Sequence, residues 1–389
     1  MTRTAVVGFA YYPRDTRIRR ETEAILDLGI KVDVICLRYD QEPMQADYEG
    51  IHVYRINMKK SRPAMLFYFL EYIKFIIRAS IKLSLLFLRN RYRIVHIHNL
   101  PDILVFTAWL PKLFGAKIIL DMHEIMPELF MNKLKVDKNH PVTRTLCFLE
   151  RISARFSDHI ILATPFLERD VSRRSATPGK CTTILNLPDP KIFYCTKTDY
   201  SLKGQYNIIY PGTLSELHGV DLAIHAVHLI REQTDIPAVL HIYGGGVESE
   251  KKNLIQLVEH LNSADYVSIN NGISREELVQ LLSRMDIGLV TKLNGVFVGE
   301  AISTKLFEFA VVGLPVICSR TPGDALYFDD SMVTFFEPDD IIGLADSLVK
   351  LYTDPHGRKR MAENAKKVAL QLNWEVEKEK LCSVYESLI

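Results

Sequence analysis

Short runs rich in Val, Ile and Leu alternate with longer stretches of helical periodicity along the whole chain. Many of these runs show little alternation of apolar and polar positions, which is typical of strands buried on both faces of a parallel sheet. The helical stretches between them indicate βαβ units. Strands are predicted at 4–10, 31–37, 51–56, 94–98, 117–122, 159–163, 182–187, 207–211, 238–243, 266–270, 287–291, 315–319 and 332–336.

The alternation of strands and helices is interrupted once, at 189–203, where prolines and a polar stretch follow the seventh strand. It starts again at Tyr206. We therefore expect an α/β protein with two Rossmann-like domains, covering 1–195 and 196–371. Ligands of parallel α/β sheets bind beyond the carboxyl ends of the strands. Two such domains are expected to face each other across one shared ligand cleft.

One segment, 63–93, is more apolar and aromatic than the other helices, and Lys74, Arg78 and Lys82 recur in it at every fourth residue. These charges argue against a helix that spans a membrane. Two interpretations stay open: a packed domain helix with one wet face, or a helix that lies in a membrane interface with its cations near anionic headgroups. The further cations Arg89, Arg91 and Arg93 favour the second.

Composition and charge narrow the class of protein. The chain has 389 residues, of which 48% are apolar and 24% are charged, as in globular proteins. Its formal net charge of +1 gives no indication of nucleic-acid binding. Six cysteines are scattered without a Cys-x-x-Cys pair, and the N-terminal apolar run is too short for a signal peptide. We expect reduced, mostly buried thiols and a cytoplasmic location.

The stretch 299–317 carries the most specific chemistry. Ser303 or Thr304 is a suitable N-cap for a helix that ends before Gly313. The N-terminus of such a helix attracts a diphosphate, and Lys305 would add a charge there, although a cation in a first turn disfavours the helix itself. Glu300 and Glu308 could accept hydrogen bonds from sugar and ribose hydroxyls. Taken alone, these two acids would be ordinary surface residues.

The Glu300-x7-Glu308 spacing, followed by Gly313-Leu-Pro-Val-Ile, resembles the signature of the retaining glycosyltransferases of family 4, which have the GT-B fold. Further matches occur in the family's order along nearly the whole chain. They are Val95-His-Ile-His-Asn-Leu-Pro-Asp, Leu120-Asp-Met-His-Glu, Ser157-Asp-His-Ile-Ile-Leu-Ala-Thr-Pro, Tyr210-Pro-Gly-Thr-Leu-Ser-Glu-Leu-His-Gly-Val-Asp, His241-Ile-Tyr-Gly-Gly-Gly and Asp286-Ile-Gly-Leu-Val.

The resemblance implies roles for individual residues. Glu308 would hold the nucleotide ribose, Glu300 the hydroxyls of the transferred sugar, and His123 the sugar or its leaving phosphate. Other residues implied at the donor are Ser303, Thr304, Gly212, Thr213, His218, Gly244, Gly245, Gly246 and Ile273. Without this context, His123 would be a core histidine and the glycine run a plain turn. A final helix, 372–389, would pack back on the first domain.

The chain departs from the family pattern in three places. Thr213 and His218 stand where many members have Arg and Lys, so Lys305 becomes the strongest cation for the diphosphate. The usual glycine pair of the first loop is missing, and we expect Arg14 or Arg17, beside Asp15, to make the contacts there. Ala301 and Ser303 replace glycines after Glu300, which leaves the donor sugar open.

The sequence therefore predicts a glycosyltransferase that moves a sugar from a UDP- or GDP-sugar to a glycan or lipid-linked acceptor with retention of configuration. Synthesis of cell-surface polysaccharide or glycoconjugate is the expected setting. No Asp-x-Asp pair lies where this fold would use one, so we expect no metal ion and no other cofactor. The alternatives are a nucleotide-sugar epimerase, a phosphorylase, or a membrane-attached binding partner without turnover.

Overall fold

The computed structural model describes residues 2–58, 65–176, 179–202, 204–293, 295 and 299–389. The chain forms two compact units, Met1–Asn186 with Glu377–Ile389, and Leu187–Val376. The strands of the first unit are β1 (Arg3–Tyr11), β2 (Lys31–Leu37), β3 (Gln45–Tyr48), β4 (Ile51–Ile56), β5 (Ile94–His98), β6 (Lys117–Met122), β7 (His159–Leu162) and β8 (Cys181–Thr183). Those of the second are β9 (Tyr206–Pro211), β10 (Ala238–Tyr243), β11 (Val267–Asn270), β12 (Ile287–Val290), β13 (Val316–Ser319) and β14 (Thr334–Phe336).

Helices connect almost all successive strands. Those before β9 are α1 (Thr16–Asp27), α2 (Met65–Asn90), α3 (Trp109–Leu113), α4 (Met126–Leu134), α5 (Pro141–Phe156) and α6 (Pro165–Arg174), with a 3₁₀ helix at Asp102–Ala108. Those after β9 are α7 (Val220–Gln233), α8 (Glu248–His260), α9 (Arg275–Leu282), α10 (Thr304–Val312), α11 (Pro322–Ala325), α12 (Ile341–Thr353), α13 (Pro355–Gln371) and α14 (Trp374–Leu388), with a 3₁₀ turn at Glu216–His218.

Each unit is built on its own sheet. The first sheet has the order β3-β4-β2-β1-β5-β6-β7-β8, and the second β11-β10-β9-β12-β13-β14. Within the described residues, neighbouring strands of both sheets are parallel except β3 and β4, which are antiparallel. The second sheet follows the strand order 3-2-1-4-5-6 of dinucleotide-binding folds. The predicted α/β fold with two Rossmann-like sheets is confirmed. In each sheet the strand order reverses once, and ligands of such sheets bind at that point, beyond the carboxyl ends of the strands.

Two strands differ from the expectation. β3 was not predicted, because Gln-Ala-Asp-Tyr contains no apolar run and lies at the edge of its sheet. The strand expected at 182–187 ends at Thr183. Beyond it, the amide of Leu185 bonds to the carboxylate of Glu377 in α14 at 2.8 Å. The amide of Ile184 still bonds to the carbonyl of Leu162 in β7 at 2.9 Å, so the backbone turns from the neighbouring strand to a helix only at Leu185.

The first unit ends at Asn186, before the expected boundary at 195. Residues that follow are tied to the second sheet and its helices. Lys197 donates from Nζ to the carbonyl of Met285 at 2.6 Å, and Arg358 donates to that of Tyr200 at 2.7 Å. At the other end, the segment that returns to the first unit begins at Glu377, inside the expected range of 372–389.

All six cysteines are free thiols. Cys36 and Cys318 are buried within the two sheets, whereas Cys195 is exposed. Cys147, Cys181 and Cys382 are only partly buried, so the expectation of mostly buried thiols holds for Cys36 and Cys318 and is wrong for the other four.

α2 has two apolar faces. Phe75, Ala79 and Leu83 pack in the core of the first unit. The opposite face exposes a stripe of large apolar side chains, between 45% and 58% exposed, formed by Leu70, Ile73, Ile77, Ile81, Leu85 and Leu88. The start of the predicted segment at 63–64 lies outside the described residues. None of the helices described here is long and apolar enough to cross a bilayer.

Candidate functional site

Two loops meet at the carboxyl edge of the second sheet, after β9 and after β10. The amide of Gly212 bonds to the carbonyl of Tyr243 at 2.8 Å, and that of Leu214 bonds to Gly245 at 2.9 Å. An added Cβ at Gly244 would overlap the carbonyl oxygen of Gly212, and one at Gly246 would overlap that of Leu214. Glycine is required at 244 and 246 for this backbone contact, whereas Gly245 has open space around it.

The start of α10 is held by a buried ion pair. The amide of Ser303 bonds to Oδ1 of Asp324 at 2.8 Å. Lys292 donates from Nζ to Oδ2 of the same carboxylate and to the carbonyl of Ala301, both at 2.6 Å. Ser303 occupies the N-cap position, but its hydroxyl makes no capping hydrogen bond. Side-chain capping therefore does not compete with an anion for the first turn of this helix.

Lys305 lies in that first turn and points back to β9. Its Nζ is 4.3 Å from the centre of the Tyr210 ring and 3.2 Å from the Tyr210 hydroxyl. An added Cβ at Gly212 would overlap the same ammonium group. Burial lowers the pKa of Lys305 from 10.5 to about 8, although Glu308 and Asp324 act in the opposite direction. No carboxylate among the described residues forms an ion pair with it.

Glu308 lies one turn further along α10 and is 9% exposed. Burial raises the pKa of its carboxyl, while the charges of Arg275 and Lys305 oppose that rise. Arg275 is the first residue of α9 and follows the predicted donor residue Ile273, which is 37% exposed. The carboxylate of Glu308 is therefore stabilised by two positive charges, that of Arg275 at the start of α9 and that of Lys305.

Glu300, in contrast to Glu308, lines an open cavity of about 260 Å³. Arg320 and Thr321 contribute to its wall beside the loop of Gly299. Arg320 itself bonds to Asp330 at 2.5 Å and lies 3.8 Å from Glu337. The two acids of the signature thus differ in environment, because Glu308 is buried in α10 and Glu300 borders an open space.

Thr213 and His218 replace the cations that the family pattern would supply. Thr213 is exposed, and its carbonyl accepts a hydrogen bond from the Tyr210 hydroxyl at 3.2 Å. Nδ1 of His218 lies 2.6 Å from the Ser215 hydroxyl. Burial, and then the charges of Lys305 and Lys292, lower the pKa of His218 from 6.5 to about 4. His218 is therefore a neutral residue at pH 7.

In the first unit, a cavity of about 240 Å³ opens at the ends of β1, β5 and β6. Asp15, Arg17, His98 and His123 lie in its wall. Asp15 caps α1 by accepting from the amide of Ile18 and also bonds to the Arg17 guanidinium at 3.2 Å. Burial alone would raise the pKa of Asp15, but the charge and hydrogen bonds of Arg17 bring it below its usual value.

Arg14 does not line this cavity. Its guanidinium lies 3.9 Å from the centre of the Tyr39 ring and 3.7 Å from Glu42. Of the two arginines expected at the acceptor, only Arg17 is placed at the cavity, because stacking on Tyr39 directs Arg14 elsewhere.

His123 is fixed by two contacts. Its amide bonds to Oδ1 of Asn99 at 3.1 Å, and its Nε2 lies 3.0 Å from Oδ2 of Asp121. Burial lowers the pKa of His123, and Asp121 opposes that change. The ring can therefore act as a neutral hydrogen-bonding group at the wall of the cavity.

Several contributors to these sites were not found in the sequence. Tyr210 precedes the Pro-Gly of the first donor loop and carries no motif of its own. Asp324 lies outside the motif of α10, and the charge of Arg275, in another helix, acts on Glu308. Glu21 faces inward from α1, and helical periodicity alone does not single out an acid there.

Two families match the chain. Residues 15–186 match the glycosyl transferase 4-like domain, and residues 198–368 match the glycosyl transferases group 1. Both describe glycosyltransferase domains, they follow one another without overlap, and together they cover most of the sequence. The first segment therefore belongs to the glycosyl transferase 4-like family and the second to the glycosyl transferases group 1. No protein of curated function matches its sequence significantly.

Solved structures share the fold at low sequence identity. Sucrose-phosphate synthase from Thermosynechococcus elongatus is 17% identical with a TM-score of 0.78, covering 100% of this chain and 99% of that one. WaaG, a glycosyltransferase involved in lipopolysaccharide biosynthesis, is 16% identical with a TM-score of 0.73, covering 98% and 99%. HepE from Anabaena, solved with UDP-glucose, is 14% identical with a TM-score of 0.71, covering 100% of both chains. The fold is that of GT-B glycosyltransferases.

The low pKa of His218 can be tested by NMR of isotope-labelled imidazole groups, assigned with His218→Gln. We expect the His218 signal to titrate at about pH 4 and to move upward in Lys305→Met, where one of the two opposing charges is removed. Because the unfolded chain binds this proton near pH 6.5, the contribution of His218 to stability is lost as the pH falls from about 6.5 to about 4. A His218 signal that titrates near 6.5 in the folded protein would contradict this placement.

Proposed function

We propose that the protein transfers a sugar from a UDP- or GDP-sugar to a glycan or lipid-linked acceptor with retention of anomeric configuration. In this proposal the bond from the anomeric carbon to the diphosphate breaks, the acceptor oxygen takes its place on the same face, and the acceptor proton leaves with the diphosphate. The protein would act in the synthesis of a cell-surface polysaccharide or glycoconjugate. HepE, solved with UDP-glucose, and WaaG support a nucleotide-sugar donor through the shared fold.

The observation that carries the proposal is the position of Lys305. Lys305 is half-buried and has no carboxylate partner among the described residues, and its partial removal from water lowers the pKa of its ammonium group to about 8. A diphosphate beside the first turn of α10 would supply the missing negative charge. The other candidate cations have partners, since Lys292 pairs with Asp324 and Arg320 with Asp330.

The remaining residues take the roles that the family resemblance implies. Glu308 accepts hydrogen bonds from the ribose, and Glu300 from hydroxyls of the transferred sugar. Gly212, Gly244 and Gly246 have no side chains, so the backbone of the donor loops can approach the donor closely. Ser303, Thr304, Thr213, Gly245 and Ile273 border the nucleotide, and His218 does so as a neutral group. His123, with Asp15 and Arg17, serves the first unit's cavity.

In our proposal the departing diphosphate is stabilised by Lys305, backbone amides and the dipole of α10 rather than by a metal ion. No Asp-x-Asp pair motivates a metal there. A nucleotide-sugar epimerase or a phosphorylase on the same architecture remains the enzymatic alternative. An assay with donor and no acceptor separates an epimerase from a glycosyltransferase, because only the epimerase turns over the donor alone.

The surface of the first unit supports attachment to a membrane. α2 contacts α3, and Trp109 and Leu113 of α3 and the following Phe114 are exposed. Residues 65–93 contain six cations and one acid, which favours an anionic surface. Arg78 bonds to the carbonyl of Asn57, and Lys82 lies 4.7 Å from the Tyr54 ring. Lys74 and Arg78 are nevertheless exposed, so part of the basic stripe faces outward beside the apolar one. We propose a peripheral location at the cytoplasmic face of a membrane.

Lys305→Met retains the length of the side chain and removes its charge. We expect turnover to fall by about one to three orders of magnitude, as for loss of a transition-state contact. The melting temperature should be unchanged or higher, because a buried charge is removed. In the wild type, kcat/KM should fall as the pH rises through about 8, where Lys305 loses its proton, and the variant should lack this limb. Lys350→Met, at an exposed position in α12, is the matched control, and normal turnover in Lys305→Met would return this lysine to a structural role.

Flotation with anionic liposomes tests the membrane proposal. Replacing Ile77 and Ile81 with Gln should reduce the bound fraction about ten-fold or more, since two exposed side chains lose apolar burial. Ile342→Gln, at an equally exposed Ile of the second unit, should have no effect. Binding of the wild type should weaken with salt, and Lys74→Gln, Arg78→Gln and Lys82→Gln together should weaken it less than the isoleucine changes. Unchanged flotation in both sets would make α2 a core helix only.

A further inference from the structure

A cluster of four ionisable side chains lies beside the cavity of the first unit. Glu21 comes from α1, His98 ends β5, Asp121 lies in β6 and His123 follows β6. Each offers one nitrogen or oxygen atom, and these four atoms lie within 4.8 Å of one another. Three different elements of the fold thus bring carboxylates and imidazoles to one point.

The cluster is buried and its polar atoms are poorly satisfied. Glu21 and His98 are 3% exposed and Asp121 is fully buried. Among the described residues, Oε2 of Glu21, Oδ1 of Asp121 and Nε2 of His98 have no hydrogen-bond partner, while Nδ1 of His98 lies 3.0 Å from Oδ2 of Asp121. Buried polar groups are nearly always paired, so several unpaired atoms at one place indicate an absent partner.

The spacing of these atoms suits a small metal ion. Oδ2 of Asp121 lies 3.0 Å from Nδ1 of His98 and 3.0 Å from Nε2 of His123. Oε2 of Glu21 lies 3.7 Å from Nε2 of His98. Tetrahedral ligands with bonds of about 2.0–2.2 Å stand roughly 3.3–3.6 Å apart. Small side-chain rotations would bring one nitrogen of each ring and one oxygen of each acid to such positions.

We propose that Glu21, His98, Asp121 and His123 bind one divalent transition-metal ion, of which Zn²⁺ fits the ligand set best. Two imidazoles with two carboxylates favour zinc over magnesium or calcium, which prefer oxygen ligands alone. The positive charge of the ion would balance the negative charges of Glu21 and Asp121, two buried acids that lie close together. Arg17 and Arg20 act on the same carboxylates, but the Arg17 guanidinium also bonds to Asp15.

The site also has the supporting contacts that orient metal ligands. Asn99 holds the backbone of His123, and the neighbouring His96 stacks on His98 with ring centres 4.5 Å apart. Nδ1 of His96 lies 3.0 Å from the hydroxyl of Tyr385 in α14. Such surrounding contacts fix the rings of liganding histidines.

This site lies in the first unit, and a metal ion there would depart from the sequence-based expectation of no metal ion, which rested on the missing Asp-x-Asp pair. The ion would form part of the wall of the cavity that His98 and His123 share with Arg17. In the metal-bound form His123 contacts the ion, which is an alternative to its contact with the sugar. The test therefore relies on Glu21 and His98, so that its outcome does not depend on donor chemistry.

Full-length protein without a histidine tag is stripped with a chelator and titrated with Zn²⁺ by calorimetry and with Co²⁺ by visible absorption. We expect one ion per chain and cobalt bands of a site with nitrogen ligands. Glu21→Gln and His98→Ala should each weaken Zn²⁺ binding by more than the roughly 10–100-fold of a change outside the ligand shell. Circular dichroism confirms that each variant is folded, and Glu21→Gln preserves side-chain shape if His98→Ala does not fold.

His52→Ala is the matched control, because His52 and Asp47 form an exposed pair with Nδ1 and Oδ2 2.7 Å apart. It should bind Zn²⁺ as the wild type does. Failure of the wild-type protein to bind either ion would overturn the proposal and leave the cluster a proton-sharing network. Equal affinities in the wild type, Glu21→Gln and His98→Ala would overturn it too, since the ion would then be bound elsewhere.

Discussion

The ammonium group of Lys305 lies between α10 and the end of β9 on a half-buried side chain, without a carboxylate partner among the described residues. Its contacts are the ring and hydroxyl of Tyr210, which attract a cation but cannot neutralise it. A lysine in the first turn also opposes the helix dipole. Lys305 lowers the stability of the helix, and removing its charge from water is unfavourable. The proposed anionic ligand would offset both effects, which gives a physical reason for a lysine at this position. The proposed donor site of the second unit rests on this arrangement.

The surrounding structure holds this charge in place before any ligand arrives. Asp324 binds the amide of Ser303 and, through Lys292, the carbonyl of Ala301, so the loop that carries Glu300 is fixed against the start of α10. On the other side, the glycines at 244 and 246 let the loop after β10 lie directly against the backbone after β9. Such preorganised charges and amides stabilise a leaving diphosphate without reorganisation during the reaction.

The sheets were predictable from the sequence because buried parallel strands appear as continuous apolar runs. β3 was not, since an exposed edge strand of polar residues has no such run. Lys305, Glu308 and the glycines of the donor loops could be found because they lie in short local motifs. Asp324, Arg275 and Glu21 could not, because each reaches its site through tertiary packing between distant segments. The same limit explains why Arg14 and Arg17 looked equivalent, although stacking on Tyr39 separates them.

The most direct test of a donor site in the second unit is calorimetric titration of the protein with a panel of nucleotide diphosphate sugars. The account predicts that a UDP- or GDP-sugar binds the wild type with one site per chain. Loss of one charge-assisted hydrogen bond, about 1.5–3 kcal/mol, should weaken that binding roughly 10–150-fold in Glu308→Gln. Glu363→Gln, an exposed acid of α13, should bind as the wild type does. Binding to no member of the panel, or equal affinity in Glu308→Gln and the wild type, would contradict the account.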